Sequence, residues 1–198
     1  MMSLRSDHQR IFGGAIFYVV ELVAADIPAL QKFFDANPEY FIAVTGALPR
    51  SSEGSEEFHD QVPAEMPFTK KWLLGFHDEA DNMIGMASVV SDLIAKNVWH
   101  IGLFVIATSL HGRGTGRIIY DALEKWMRDS GATWIRLGVV EGNARAERFW
   151  EKCGYLEVRK RHGVKMGAKI NSLRVMVKSL GAETLDRYLA RVLRDRPE

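Results

Sequence analysis

The chain of 198 residues holds one cysteine, Cys153, which excludes an intramolecular disulfide and any zinc site with two thiolate ligands. It also lacks a long hydrophobic run. The most apolar stretch, Ala15 to Leu30, is broken by Glu21, Asp26 and Pro28, well short of the ~18 apolar residues of a membrane span. A charge excess of either sign is missing too: 26 Lys and Arg stand against 25 Asp and Glu, leaving no surplus for a general nucleic-acid partner. The start, Met1 to Arg10, is polar and mixed in charge, unlike a secretion signal. These absences predict a soluble, cytoplasmic protein that needs neither a membrane nor a metal.

What is present is an ordinary globular composition, 47% hydrophobic and 26% charged, with length enough for one domain over residues 1–198 and a C-terminal helical extension over 181–198. The balanced charge hides an asymmetry. Met1 to Asn97 carries 7 basic and 14 acidic residues, whereas Val98 to Glu198 carries 19 basic and 11 acidic. The two halves are expected to meet different partners, the alternative being two solvated faces.

Apolar alternation predicts strands over Ala15–Val23, Lys70–His77, Met83–Leu93, Val98–Ile106, Thr133–Val140, Tyr155–Arg161 and Ile170–Lys178. In Val98–Ile106 strict alternation places Trp99, Ile101, Leu103 and Val105 on one face and Val98, His100, Gly102, Phe104 and Ile106 on the other. Helical spacing predicts helices over Asp26–Asp35, Gly116–Ser130, Asn143–Lys152 and a last one holding Leu185, Tyr188, Leu189, Val192 and Leu193. Pro49, Gly54, Pro63 and Pro67, with Glu53, Glu56, Glu57, Asp60 and Glu65, predict a long acidic loop over Ala47–Pro67. The helix between the Val98 and Thr133 strands predicts that those two pair in parallel.

The chemical signal lies at His111-Gly-Arg-Gly-Thr-Gly-Arg117, between a strand and a helix. Three alternating glycines let successive N–H groups converge, the helix adds the positive end of its dipole, and Arg113 and Arg117 supply charge-assisted donors. The pattern predicts a phosphate or pyrophosphate site, with a ligand-free tight turn as the alternative. No Gly-Lys-Ser/Thr of a P-loop occurs, and Gly-x-Gly-x-x-Gly fails at Arg117 and at Ile119.

On these residues the chain resembles the GCN5-related N-acetyltransferases, the GNAT family. His111-Gly112-Arg113-Gly114-Thr115-Gly116 is similar to that family's Arg/Gln-x-x-Gly-x-Gly/Ala loop, and Asn143-Ala-Arg-Ala146-Glu-Arg-Phe149-Trp150-Glu-Lys-Cys-Gly154-Tyr155 to its Asn-x-x-Ala-x-x-Phe-Tyr-x-x-x-Gly-Phe. The resemblance implies an α+β fold: a mixed, mostly antiparallel sheet of about seven strands, a splayed parallel central pair, and helices on both faces. It implies transfer of an acetyl group from acetyl-coenzyme A to an amine by direct attack. The second reading is a non-catalytic acetyl-coenzyme A sensor of the same fold.

The resemblance further implies roles for single residues. Backbone amides of Arg113, Gly114, Thr115 and Gly116 would hold the pyrophosphate, with Arg117 at hand; Val105 and Ile106 would bond the pantetheine arm and the acetyl carbonyl. Asn143 would touch the pantetheine or else cap its own helix. His100, 11 residues before His111, stands where histone-type members carry a catalytic glutamate and is the expected base, with Glu141 and Asp92 in reserve. His111 replaces the usual Arg or Gln. Trp150 replaces the tyrosine that protonates the leaving thiolate in many members, and an indole N–H cannot do so. Cys153, one turn on, is either that acid or, as a lone helical cysteine more often is, a small buried hydrophobe, so the acid stays unassigned. The acidic segment leans toward a small cationic amine or basic peptide as acceptor. Arg187, Arg191, Arg194 and Arg196 mark a basic last helix that packs on its own domain, mediates a homodimer or contacts an acidic partner.

Overall fold

Alternating apolar residues assemble one eight-stranded sheet in the computed structural model, which describes residues 8–197. Most of the polar start, residues 1–7, lies outside the described residues. The strands are β1 (Arg10–Gly13), β2 (Tyr18–Glu21), β3 (Lys70–His77), β4 (Met83–Ser91), β5 (Val98–Ile106), β6 (Trp134–Val140), β7 (Leu156–Met166) and β8 (Lys169–Ser179). They stand in the order β1-β2-β3-β4-β5-β6-β8-β7. Only β5 and β6 run in parallel, as the intervening helix requires.

The helices are α1 (Ile27–Ala36), α2 (Glu39–Thr45), α3 (Glu53–His59), α4 (Thr115–Asp129), α5 (Ala144–Lys152) and α6 (Leu185–Arg191). On one face of the sheet, Ile119, Tyr120, Leu123 and Met127 of α4 are buried against Trp99, Ile101 and Ile106. Each such side chain stabilises the fold by roughly 1.5–3 kcal/mol. On the other face Leu30, Phe33 and Phe34 of α1 meet Leu103 and Val105. Tyr188 of α6 and Val192 pack on Val98, Trp134 and Val175, so the basic last helix docks on its own sheet.

Three sequence expectations change. The strand expected over Ala15–Val23 opens instead with a hairpin turn, Gly14 N–H donating to the Phe17 carbonyl at 2.9 Å, which adds β1. A Cβ on Gly13 would lie 2.8 Å from that oxygen, so glycine is needed for the turn. The expected acidic loop contains α3, because Gly54 is a packing residue rather than a loop signal: its N–H bonds Gln31 Oε1 at 2.8 Å, and a Cβ there would sit 2.8 Å from the Gln31 nitrogen.

The third change bears on function. The β4 register slips between Ser88, opposite Leu103, and Val89, opposite Ile101, leaving Gly102 as a bulge. The bulge reverses the faces. Leu103 and Val105 join α1, while Phe104 and Ile106 join Trp99 and Ile101 on the α4 side, against the strict alternation expected of this strand. Pairing with β6 stops at the same place, at Ile101 opposite Leu137, and the two strands diverge.

Candidate active site

The divergence of β5 and β6 opens two cavities. The larger, about 680 Å³, runs from Ile106 past Gly112, Gly114 and Gly116 to Phe149 on α5. The smaller, about 220 Å³, lies along Gly102 and Gly138 with His100, Arg136 and Arg161 in its wall. Tyr40, Phe104, Asn143, Ala146 and Trp150 line both, so the two meet in the gap between the strands.

Strand geometry decides which backbone groups face the gap. Ala107 N–H donates to the Ile84 carbonyl, directly opposite it, at 2.9 Å. Two-residue alternation therefore turns Val105 N–H and C=O toward β4, and those of Phe104 and Ile106 toward the gap. This corrects the expected backbone role of Val105, which remains in the wall of the larger cavity.

The glycine loop has the geometry of an anion cradle. Gly112 and Gly114 have φ of +75° and +81°, a left-handed conformation that glycine alone adopts freely, and Gly114 is the N-cap of α4. Among the described residues, none accepts a hydrogen bond from the N–H groups of Gly112, Arg113, Gly114, Thr115 or Gly116. Five unpaired donors at the start of a 15-residue helix fit a pyrophosphate. Arg117 lines the cavity but is also held, by Asp121 at 2.7 Å and the Lys152 carbonyl at 2.9 Å. The side chains of Arg113 and Thr115 take no part in the lining.

His111 is tied into the wall. Its Nε2 lies 3.0 Å from the Ile106 carbonyl and its Nδ1 2.5 Å from Arg145 Nη1, which also bonds Glu39 at 2.7 Å. A neutral ring donating through Nε2 and accepting at Nδ1 satisfies both contacts. Asn143 Oδ1 accepts from Ala146 N–H at 3.3 Å, so it caps α5 and lines both cavities at once.

His100 stands in the smaller cavity beside Arg136, whose Nη1 is 3.5 Å from its Nδ1. Burial, and then the positive charge of Arg136, push its pKa down to about 3. It is unprotonated at neutral pH but far weaker as a proton acceptor than free imidazole, which counts against the expected base role. Neither reserve lies in a cavity wall. Glu141 is exposed and paired with Lys160, which holds its pKa low. Asp92 bonds Thr69 at 2.7 Å and the Asn97 N–H at 2.6 Å, fastening the β4–β5 turn.

Trp150 sits in an aromatic cluster with Phe104, Phe149 and Tyr120. Cys153 is 3% exposed, outside both walls, and burial pushes its thiol up to about 11. The acidic segment is largely paired: Glu53 and Glu56 with Arg50, and Asp60 with Lys71. None of its carboxylates lines either cavity. Sequence reading missed Tyr40, Arg136 and Arg161, which belong to no motif.

The Acetyltransferase (GNAT) family model matches residues 30–155. The chain belongs to the GNAT acetyltransferase family. It is an acyltransferase, with the family's mixed sheet, one strand larger than expected. No curated protein sequence matches it. Among solved structures, spermidine N-acetyltransferase from Vibrio cholerae, in complex with CoA and spermine, is similar at TM-score 0.64 and 15% identity, over 84% of this chain and 96% of that one. An acetyltransferase from Thermus thermophilus is similar at 0.63 and 21%, over 87% and 100%. The ribosomal-protein-S18-alanine N-acetyltransferase from Escherichia coli gives 0.61 and 13%, over 86% and 97%. At these identities the likenesses establish the fold. Among the described residues, no helix of this GNAT protein is long and apolar enough to cross a membrane.

Proposed function

We propose that the chain is an acetyl-coenzyme A-dependent N-acetyltransferase in which an acceptor amine attacks the thioester directly. The observation that carries this reading is the run of unpartnered N–H groups from Gly112 to Gly116, opening into a cavity that continues to the β5–β6 gap. The larger cavity takes coenzyme A: the loop amides and the α4 N-terminus meet the pyrophosphate, and Phe149 and Asn143 flank the pantetheine. The smaller cavity takes the acceptor. The thioester lies where the cavities meet, with the Phe104 and Ile106 backbone facing its carbonyl, and the N–H groups there stabilise the developing oxyanion.

A primary amine with pKa near ~10.4 must lose a proton for the attack to be completed. His100, held unprotonated and weakly basic, does not store that proton. It shapes the acceptor cavity with Arg136, and the proton leaves to water. Carbon–nitrogen bond formation and carbon–sulfur cleavage then yield the amide and coenzyme A thiol. The paired acidic segment gives no support to a basic peptide as acceptor.

Calorimetric titration with coenzyme A, followed by thiol release from acetyl-coenzyme A with a panel of amines, tests the reading. Binding and amine-dependent thiol release are expected. Binding with no release by any amine identifies the sensor alternative, and no binding removes both.

A further inference from the structure

The charge of the acceptor-side cavity carries a second step, which rests on the reading just given. Its ionisable wall residues, Tyr40, His100, Arg136 and Arg161, include no carboxylate. Arg136 is neutralised from behind: Asp195, 1% exposed, accepts from its Nε at 2.7 Å and its Nη2 at 2.9 Å, and also from the Tyr188 hydroxyl at 2.6 Å. Arg161 is different. It is exposed, and among the described residues it forms no ion pair and no side-chain hydrogen bond. Arg194 stands in the same field. Its own side-chain partner is Met66 Sδ at 3.2 Å, a weak acceptor, and besides burial the charges of Arg136 and Arg161 push its pKa down, with Asp195 opposing them.

With Arg136 already paired to Asp195, Arg161 is the cation of this wall that has no carboxylate of its own, so its guanidinium is open to an incoming anion. Apart from Tyr40 and Asn143, the rest of the wall is mainly apolar, with Leu103, Val139, Met166 and Leu173, and the space is small. We propose that the acceptor is a compact amine bearing a carboxylate, of amino-acid size, with the carboxylate held by Arg161 and the amine directed at the β5–β6 gap. The planar fork of Arg161 suits a carboxylate in two-point contact. The bonds made and broken are those of direct transfer: nitrogen to acetyl carbon forms, carbon to sulfur breaks, and the amine proton passes through water to the thiolate.

The test is thiol release with α-amino acids against their primary amides, and with spermidine, at saturating acetyl-coenzyme A. The acids are expected to exceed the amides in kcat/KM by roughly tenfold or more, the size of a hydrogen bond to a charged group. In Arg161→Gln that preference is expected to fall to within about twofold, through KM for the acid, with KM for acetyl-coenzyme A unchanged. Amides or spermidine used as well as the acids, or a preference that survives Arg161→Gln, overturns the proposal. Because Arg161 is exposed, the variant folds, and its melting temperature verifies this. A binding arm separates the two readings: N-acetylleucine and N-acetylleucine amide are titrated into the coenzyme A complex. Tighter binding of the acid upholds the anion site even if no amine is turned over, an outcome that removes the enzyme reading alone. Equal binding of the two overturns the anion site.

Discussion

Arg136 and Asp195 form a buried two-point ion pair, at 2.7 and 2.9 Å, that fastens the C-terminal segment to the strand bordering the smaller cavity. Both are nearly sealed from water, at 7% and 1% exposure. Removing one partner strands the other charge, so Asp195→Asn is expected to lower unfolding stability by ~3–5 kcal/mol. Guanidinium unfolding monitored by tryptophan fluorescence measures this. The double variant Arg136→Met/Asp195→Leu is expected to recover much of the loss, because an apolar pair leaves no charge unpaired. A loss under about 1 kcal/mol in Asp195→Asn would place the pair in the class of surface contacts.

Gly114 and Gly116 make a matched contrast. Nothing lies within 4 Å of a Cβ built on Gly114, yet its φ of +81° makes any side chain strained. Gly114→Ala is expected to cost ~1–2 kcal/mol locally and, by turning the loop N–H groups, to weaken coenzyme A binding roughly tenfold or more. Gly116 has no positive φ, and a Cβ there meets Phe149 at an ordinary 3.7 Å. Gly116→Ala is expected to lose much less affinity. Calorimetry on both variants decides the matter, and equal losses would show that the backbone conformation is not what matters.

The glycine loop and the parallel pair were legible in sequence because backbone demands leave a local trace: left-handed positions select glycine, and a crossover helix selects parallel strands. The smaller cavity was legible only in part, at His100, Asn143 and Trp150. Its wall is built by residues from α2, β5, β6, α5, β7 and β8, most of which no spacing rule connects, and the Gly102 bulge reverses the faces of a strand whose alternation reads as regular. Gly54 misled in the opposite direction, since a glycine chosen for a close helix crossing looks the same in sequence as one chosen for a loop.

His100 yields a prediction about pH. Its pKa of about 3 in the fold lies below the ~6.5 of the unfolded chain, so it contributes stability above that value which is lost as pH falls through the window toward 3. His100→Gln is therefore expected to lose less stability than the parent between pH 7 and pH 5. In kinetics, His100→Ala is expected to lower kcat/KM by less than about tenfold and to leave the pH profile's shape intact, where a general base would cost ~10²–10⁴-fold. A hundredfold loss with disappearance of the acid limb would restore His100 as the base.

Glu57 titrates the other way. Burial, with lesser contributions from Asp60 and Glu53, pushes its pKa up to about 7, against the pull of Lys71 and the Ser88 hydroxyl. Native Glu57 thus holds a proton at pH values where the unfolded chain, with its pKa near ~4.3, has released it. Stability from this group is fully present below about 4.3 and declines as pH rises toward 7, because unfolding in that window releases the proton. Above about 7 the fold carries a charged carboxylate in a poorly solvated place, at a cost on the order of 1–3 kcal/mol. Glu57→Gln keeps the shape and removes the charge, so the variant is expected to melt higher than the parent at pH 8 and close to it at pH 4.5. Melting curves of both proteins across that range measure the difference. A variant less stable at pH 8 would mean that the Glu57 charge is held by Lys71 more strongly than burial penalises it.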